Sequence, residues 1–230
     1  MIDQGVGDLP ARRYFTADYV EHATLLDGRP VEIRLLAPTD KQLLADGFHR
    51  LSEESRYARF LGPKSSLSDE ELRYLTEVDQ ENHVAIGAVG HDADGNEVGL
   101  GIARFIRLPG PGATAEAAVA VTDEVHGLGL GRLLFMRLCA AAVERGVRHF
   151  RCELLASNRS MRALIEAVAP SRSIETTGGV MTIDMRVPEI APDAPVIGPP
   201  PEGSMYRLFR AAAGNAVEWT DAVRRLWRRE

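Results

Sequence analysis

The sequence predicts an α/β (α+β) domain, and three observations carry that prediction. Short apolar runs joined by turn residues recur in pairs, at 23–36, 84–106 and 173–187, which is the pattern of antiparallel hairpins. Helical patterns opened by capping residues lie between them. Centrally, an alternating run ends at Val121, a short turn follows, and Gly127, Gly129 and Gly131 precede a long helical pattern beginning with Leu133 and Leu134.

Taken in order, residues up to about Val20 show no sustained period and read as an N-terminal arm, 1–22. Ala23 to Leu36 holds an Asp27-Gly28 turn between two apolar runs, a strong hairpin signal. Thr39-Asp-Lys-Gln42 reads as a capping box opening a helix whose apolar face includes Leu43, Leu44, Phe48 and Leu51. A second box, Ser68-Asp-Glu-Glu71, starts another helix through Leu72 and Leu75, after a charged stretch from Leu51 to Leu61 with aromatics at helical spacing. From Val84 the period becomes strand-like, and Val84–Val89 and Val98–Ile106 flank the turn residues Asp92-Ala-Asp-Gly95-Asn. Thr114 to Val121 is a third strand, and the helix after the glycines stops near Arg145 at Gly146. Val147 to Leu155 reads as a strand, Asn158 as the start of a helix toward Val168, and Ser173 to Val187 as a hairpin about Gly178-Gly179.

Composition limits the classes of function. With 230 residues, the chain can bury one sizeable core with appendages. A formal net charge of −6 argues against nucleic acid as the main partner, because phosphate binders carry an excess of lysine and arginine. Cys139 and Cys152 have neither metal-ligand nor disulfide spacing and read as reduced core residues, so no metal is expected. No apolar stretch approaches the roughly 18 residues needed to span a bilayer, and the N-terminus lacks a signal peptide's basic-then-apolar order. A cytoplasmic protein is expected.

The glycine segment carries the sharpest functional signal. Strand, glycine turn and helix in that order make an anion site, because the unpaired N–H groups of a first helical turn point at whatever sits in the loop. Glycine near a helix start costs roughly 1 kcal/mol per residue against alanine, so three together suggest an offsetting benefit. The Lys-Ser/Thr pair of a nucleoside-triphosphate loop is missing, since Arg132-Leu133 follows the last glycine. A dinucleotide fold would place such glycines after its first strand, whereas these lie past the middle of the chain.

His126-Gly127-Leu128-Gly129-Leu130-Gly131 instead resembles the acetyl-CoA pyrophosphate loop of the GCN5-related N-acetyltransferases, Gln/Arg-x-x-Gly-x-Gly/Ala, with His126 where Gln or Arg is usual. The resemblance covers roughly 23–187 and implies the fold of that family: a mixed, mostly antiparallel central sheet flanked by helices. Arg50 to Leu61, followed by Leu67 to Asp79, is similar to the first two helices of the bacterial protein-lysine acetyltransferase branch. Some members of that branch add a cyclic-nucleotide domain or a synthetase-like region. Neither is found in these 230 residues, so nucleotide regulation is not expected.

The resemblance implies acetyl-CoA as cosubstrate, held by His126, Gly127, Leu128, Gly129, Leu130, Gly131 and Arg132, with backbone of Val119 and Val121 along the pantetheine arm and Asn158 beside it. Asn158 reads equally well as a helix N-cap. Transfer to an amine needs a base, because offering a neutral lysine amine at pH 7 costs about 4 to 5 kcal/mol. Glu116, the only charged residue in Thr114–Val121, matches the Ala-Glu pair that supplies this base in the resembled branch. Small apolar neighbours would also raise its pKa by desolvation. The structural alternative is an ion pair, with Arg104 on the preceding strand as candidate partner. Asp123 and Glu124 read as solvated. The Tyr that many relatives place seven residues after the Asn is Ile165 here.

The expected function is therefore transfer of acetyl to a primary amine, a protein lysine first. A small-molecule amine acetyltransferase and a non-catalytic acyl-CoA-sensing module are the rivals. Pro188 to Gly203 reads as a stiff linker, 188–203. Met205, Leu208, Phe209, Ala212, Val223, Leu226 and Trp227 recur at helical spacing among six arginines, so 204–230 reads as a basic amphipathic tail for self-association or partner binding.

Overall fold

The structure, a computed structural model, describes residues 13–110, 112–169 and 172–194. Eight strands form one sheet: β1 (Val20–Thr24), β2 (Pro30–Leu35), β3 (His83–His91), β4 (Glu97–Arg107), β5 (Thr114–Val121), β6 (His149–Leu155), β7 (Arg172–Thr177) and β8 (Val180–Arg186). Their spatial order is β1-β2-β3-β4-β5-β6-β8-β7. Every neighbouring pair is antiparallel except β5 and β6. That parallel step needs a crossover, supplied by the helix α4 (Leu130–Glu144). The helices α1 (Lys41–His49), α2 (Glu53–Phe60) and α3 (Asp69–Thr76) come between β2 and β3, and α5 (Arg159–Val168) between β6 and β7. The expected mixed, mostly antiparallel sheet flanked by helices is what forms.

The main core lies on the α4 side of the sheet. Leu130, Leu133, Leu134, Phe135 and Leu138 of α4 are each at most 1% exposed and meet Ala115, Ala117 and Val119 of β5 in one cluster. Burying such side chains stabilises by about 1.5–3 kcal/mol each, enough to offset a glycine-rich helix start. The opposite face carries smaller clusters. Leu75 packs there with Phe60, Tyr74 and Ile106, and Ala85, Ile102 and Ala120 pack with Leu36 and Leu44.

Three expectations change. Residues 13–22, placed in the N-terminal arm 1–22, belong to the packed domain: β1 begins at Val20, and Phe15 and Tyr19 are buried in the main core. The Arg137 guanidinium on α4 binds Glu21 through two hydrogen bonds of 2.6 and 2.7 Å, and the Tyr19 hydroxyl donates to the same carboxylate. Burial works to raise the Glu21 pKa, but these hydrogen bonds outweigh it and leave the carboxyl below its usual range. No local period could show this, because the arm is held by residues more than a hundred positions away.

The Thr39–Gln42 box is also replaced. Asp40 is the N-cap of α1, and its buried carboxylate accepts from the Ala37 N–H at 2.7 Å and from both terminal nitrogens of Arg34. Gln42 turns to Asp46. The box at Ser68 forms as expected, with Glu71 reaching back to the Ser68 N–H at 2.7 Å. The third change concerns Asp123, taken up below. In the linker 188–203, Ile190 packs on the core; the linker beyond 194 and the tail 204–230 lie outside the described residues. Among the described residues no helix is long and apolar enough to cross a membrane.

Candidate active site

The site grows from the way β5 is paired. The Leu108 N–H donates to the Thr114 carbonyl, and the Thr122 N–H donates to Leu100, both on the β4 side. On the other side, the Ala113 carbonyl accepts from Arg148 and His149 at the start of β6. Because ladder bonds alternate along a strand, the even-numbered residues 114–122 bond toward β4, and Ala115, Ala117, Val119 and Val121 point their N–H and C=O toward β6. The β5/β6 ladder, however, runs only from Thr114–His149 to Glu116–Arg151. Beyond it β5 follows β4 as far as Gly101–Val121, while β6 follows β8 as far as Leu155–Val180. The two strands part, and the backbone of Ala117, Val119 and Val121 faces the gap.

At the far end of this edge lies the glycine loop. Gly127 and Gly129 adopt φ of +74° and +89°, a left-handed backbone that disfavours side chains. This bend starts α4 at Leu130 with Gly129 as its N-cap residue. Among the described residues, nothing accepts a hydrogen bond from the N–H groups of Gly127, Gly129, Leu130, Gly131 or Arg132; the first such bond inside the helix is Leu133 to Gly129. Leu128 differs from the others, since its N–H donates to Val125 and its carbonyl accepts from Leu26. The side chain of Arg132 is exposed. His126 turns inward, with Nε2 at 3.1 Å from the Val121 carbonyl, so it shapes the end of the open edge.

Glu116 sits where the ladder ends. It is 6% exposed, and the strand alternation puts its side chain on the α1–α3 face with Ala118 and Ala120. Arg151, directly beside it on β6, is held by Asp184 at 2.9 Å. Burial raises the phenol pKa of Tyr74 on α3, against the lowering effect of the Arg104 charge and with a smaller raising effect from the Glu116 charge. Arg104 lies opposite Ala118 on the same face, fully buried. Its guanidinium donates to the Leu75 carbonyl at 3.1 Å and lies 3.0 Å from His83 Nε2. Burial, followed by the Arg104 charge, pushes the His83 pKa down to about 3. The His83 ring packs against Tyr74 in a tilted arrangement, with centroids 5.3 Å apart. The sequence singled out Arg104 only as a partner for Glu116; the clusters with His83 and Tyr74 had no local signal, since three separate elements build them.

A mostly apolar pocket opens on this same face between α1–α3 and the sheet, with Leu44, Phe48, Phe60, Ile102 and Ala120 in its walls. Across the gap, Asn158 is buried and its Oδ1 accepts from the Met161 N–H at 3.1 Å, the N-cap geometry of α5. Arg162 pairs with Glu166 on the surface of α5, and Ile165 is fully buried in the main core.

Asp123 corrects the expectation of a solvated charge, while Glu124 is exposed as expected. The Asp123 carboxylate accepts from the Ser52 N–H at 2.7 Å, the Ser52 hydroxyl at 3.0 Å and the Ser55 hydroxyl at 2.7 Å. Glu124 pairs with Arg50 at 2.5 Å.

Comparison with known proteins places this arrangement. The family model described as the acetyltransferase (GNAT) family matches residues 43–168. The acetyltransferase PA5475 of Pseudomonas aeruginosa is 35% identical over 141 residues, which is 61% of this chain and 75% of that protein. The acetyltransferase Pat of Mycolicibacterium smegmatis is 30% identical over 168 residues, 69% of this chain and 46% of that protein. Among solved structures, the GNAT domain of S. lividans PAT superposes with a TM-score of 0.65 at 24% identity, over 75% of this chain and 99% of that one. The cAMP-binding acyltransferase from Mycobacterium smegmatis gives a TM-score of 0.52 at 25% identity, over 85% of this chain and 54% of that one. The chain thus spans about half the length of these two mycobacterial relatives. The glycine loop and the parted strands lie within the matched span, and the chain belongs to the acetyltransferase (GNAT) family, as an acetyl-CoA-dependent N-acetyltransferase.

Proposed function

We propose that this enzyme transfers the acetyl group to the side-chain amine of a lysine in a protein, with Glu116 as the general base. The observation that carries the reading is the end of the β5/β6 ladder at Glu116. There the one carboxylate of β5 stands at the head of an open backbone edge that leads to the bare N–H groups of the glycine loop. The N–H groups of Gly127, Gly129, Leu130, Gly131 and Arg132 suit a diphosphate at the positive end of α4. The edge from Ala117 to Val121 suits an extended pantetheine arm, which pairs as a strand would. His126 and Asn158 act as shape-giving neighbours through the Val121 carbonyl and the α5 cap. Leu128, with both backbone groups engaged, contributes packing rather than a donor.

In this account Glu116 takes a proton from the incoming ammonium, the freed nitrogen attacks the thioester carbonyl, and the carbon–sulfur bond breaks with the electron pair leaving on sulfur. The thiolate's modest basicity lets it depart without a protein acid, and the second proton of the attacking nitrogen passes to it through solvent as the neutral amide forms, which matches the burial of Ile165 at the position where many relatives carry a phenol. A protein acceptor is supported by the likeness of Arg50 to Asp79 to the first two helices of the protein-lysine acetyltransferase branch. A cytoplasmic setting is part of the same reading: Cys139 and Cys152 are free thiols in the core, and burial pushes Cys152 up to about 12.

The test is mass spectrometry of lysate proteins incubated with acetyl-CoA and either the wild type or Glu116→Gln. New acetyl-lysines are expected with the wild type and not with the variant. Equal acetylation by both removes Glu116 from its role, and acetylation of small amines alone moves the acceptor to the small-molecule class.

A further inference from the structure

We infer that Asp123 is a positioning residue that ties helix α2 to the coenzyme loop, so that coenzyme binding and the placement of the acceptor-side helices are coupled. The inference rests on the reading of 126–132 as the coenzyme loop. Asp123 opens the short 3-10 turn Asp123–Val125 directly ahead of that loop. Its three hydrogen-bond donors all belong to Ser52 and Ser55, the N-cap and first turn of α2, about 70 positions earlier in the chain. A helix N-terminus favours a carboxylate through its unpaired N–H groups and its dipole. The cap of α2 is therefore completed by a side chain from the loop, not only by the helix's own Ser52. Burial works to raise the Asp123 pKa, yet these hydrogen bonds and the nearby His126 hold it below the usual carboxylate range, so the charge persists at neutral pH.

On its other side Asp123 meets the loop itself. His126 Nδ1 lies 3.8 Å from Asp123 Oδ1, and His126 Nε2 holds the Val121 carbonyl at 3.1 Å. One side chain thus touches α2, and through His126 reaches the last residue of the open edge. Glu124 strengthens the link, because its carboxylate pairs with Arg50 just after α1 and its carbonyl accepts from Arg29 at 2.8 Å. The far end of α2 packs beside the catalytic candidate: Phe60 shares a cluster with Tyr74 and with Ile106, the residue directly across from Glu116. A diphosphate that draws in the loop must carry the α2 N-terminus with it or break charge-assisted hydrogen bonds, and linkage makes the effect reciprocal.

A merely structural Asp123 would lower stability without linking the two regions. The discriminating experiment measures amide hydrogen exchange of residues 53–60 with and without coenzyme A, alongside calorimetric titration of coenzyme A. It compares the wild type with Asp123→Asn, which keeps shape but removes charge, and with Ser55→Ala, which removes a single donor. In the wild type, coenzyme A is expected to slow exchange across α2 by about tenfold, the scale of one charge-assisted hydrogen bond. In Asp123→Asn coenzyme affinity falls by about tenfold and the α2 response disappears; Ser55→Ala lies between. Coenzyme binding to the wild type with no change in α2, or an Asp123→Asn protein that binds and responds as the wild type does, overturns the coupling alone. Failure of the wild type to bind coenzyme A overturns the loop assignment and the coupling together. Should Asp123→Asn not fold, the wild-type exchange and Ser55→Ala still decide the matter.

Discussion

The two halves of β5 differ in one respect that separates stability from chemistry. From Thr114 to Glu116 the strand is paired on both sides; from Ala117 to Val121 it is paired only with β4. Burial does not mark the change, because Ala115 to Ala120 are buried without a break across the border. What differs is the neighbour each strand follows: β5 keeps to β4 and β6 keeps to β8, so the sheet's twist opens a gap between them. The doubly paired half belongs to the cohesive framework, while the half with one side unpaired offers backbone donors and acceptors that a ligand can complete. Glu116 stands at the border.

This contrast can be broken by substitutions that ought to touch one property and not the other. The largest effect is expected at the border. Glu116→Gln should lower acetyl-transfer turnover by about 10²–10⁴-fold while leaving coenzyme affinity within about twofold, checked by thiol-release kinetics and calorimetry. A matching fall in affinity would mean that the carboxylate shapes the groove rather than the chemistry.

On the framework side, Phe15→Ala should cost about 3–5 kcal/mol in denaturant unfolding, because the ring is buried with Tyr19 at 4.7 Å, and should leave coenzyme affinity unchanged wherever the protein stays folded. A loss below about 1 kcal/mol would return residues 13–22 to the status of a loose arm.

The framework should also report pH. His83 titrates near 3 in the fold and near 6.5 when unfolded, so between these values the unfolded chain binds a proton that the native state refuses. Stability is expected to fall as pH drops through that window, and His83→Gln should flatten the slope by up to ~1.4 kcal/mol per pH unit. An unchanged slope, measured by unfolding at stepped pH, would place the ring in water.

The smallest effect is the sharpest test of the separation. A Cβ at Gly131 would come no nearer than 4.0 Å to Val121, and the residue is already helical, so Gly131→Ala should raise stability by about 1 kcal/mol. The same methyl stands where a diphosphate must approach the amides, so coenzyme affinity should fall. Both quantities rising together would show that no anion comes close there.

What could be read from the sequence is what local chemistry dictates. The Asp27-Gly28 and Gly178-Gly179 hairpins, the Ser68 box and the Asn158 cap each depend on residues within a few positions, and each forms. β5 was legible to the residue, and so was the order of strand, loop and helix. Illegible features involve partners on other elements. Asp40 displaces the Thr39 box because Arg34 on β2 is there to pair with it, and Asp123 is a cap rather than a solvated charge because α2 docks on it. The end of the β5/β6 ladder has no counterpart in composition, since it depends on β4 and β8 drawing the strands apart.

The central claim is that the parted strands and the bare loop amides hold the coenzyme with its sulfur beside Glu116. A crystal structure of the chain with coenzyme A tests it most directly. The pantetheine arm is expected to bond along Ala117 to Val121, with the diphosphate within hydrogen-bond distance of the Gly127, Gly129 and Gly131 N–H groups. Coenzyme bound elsewhere, with β5 and β6 zipped together beyond Glu116, would contradict it.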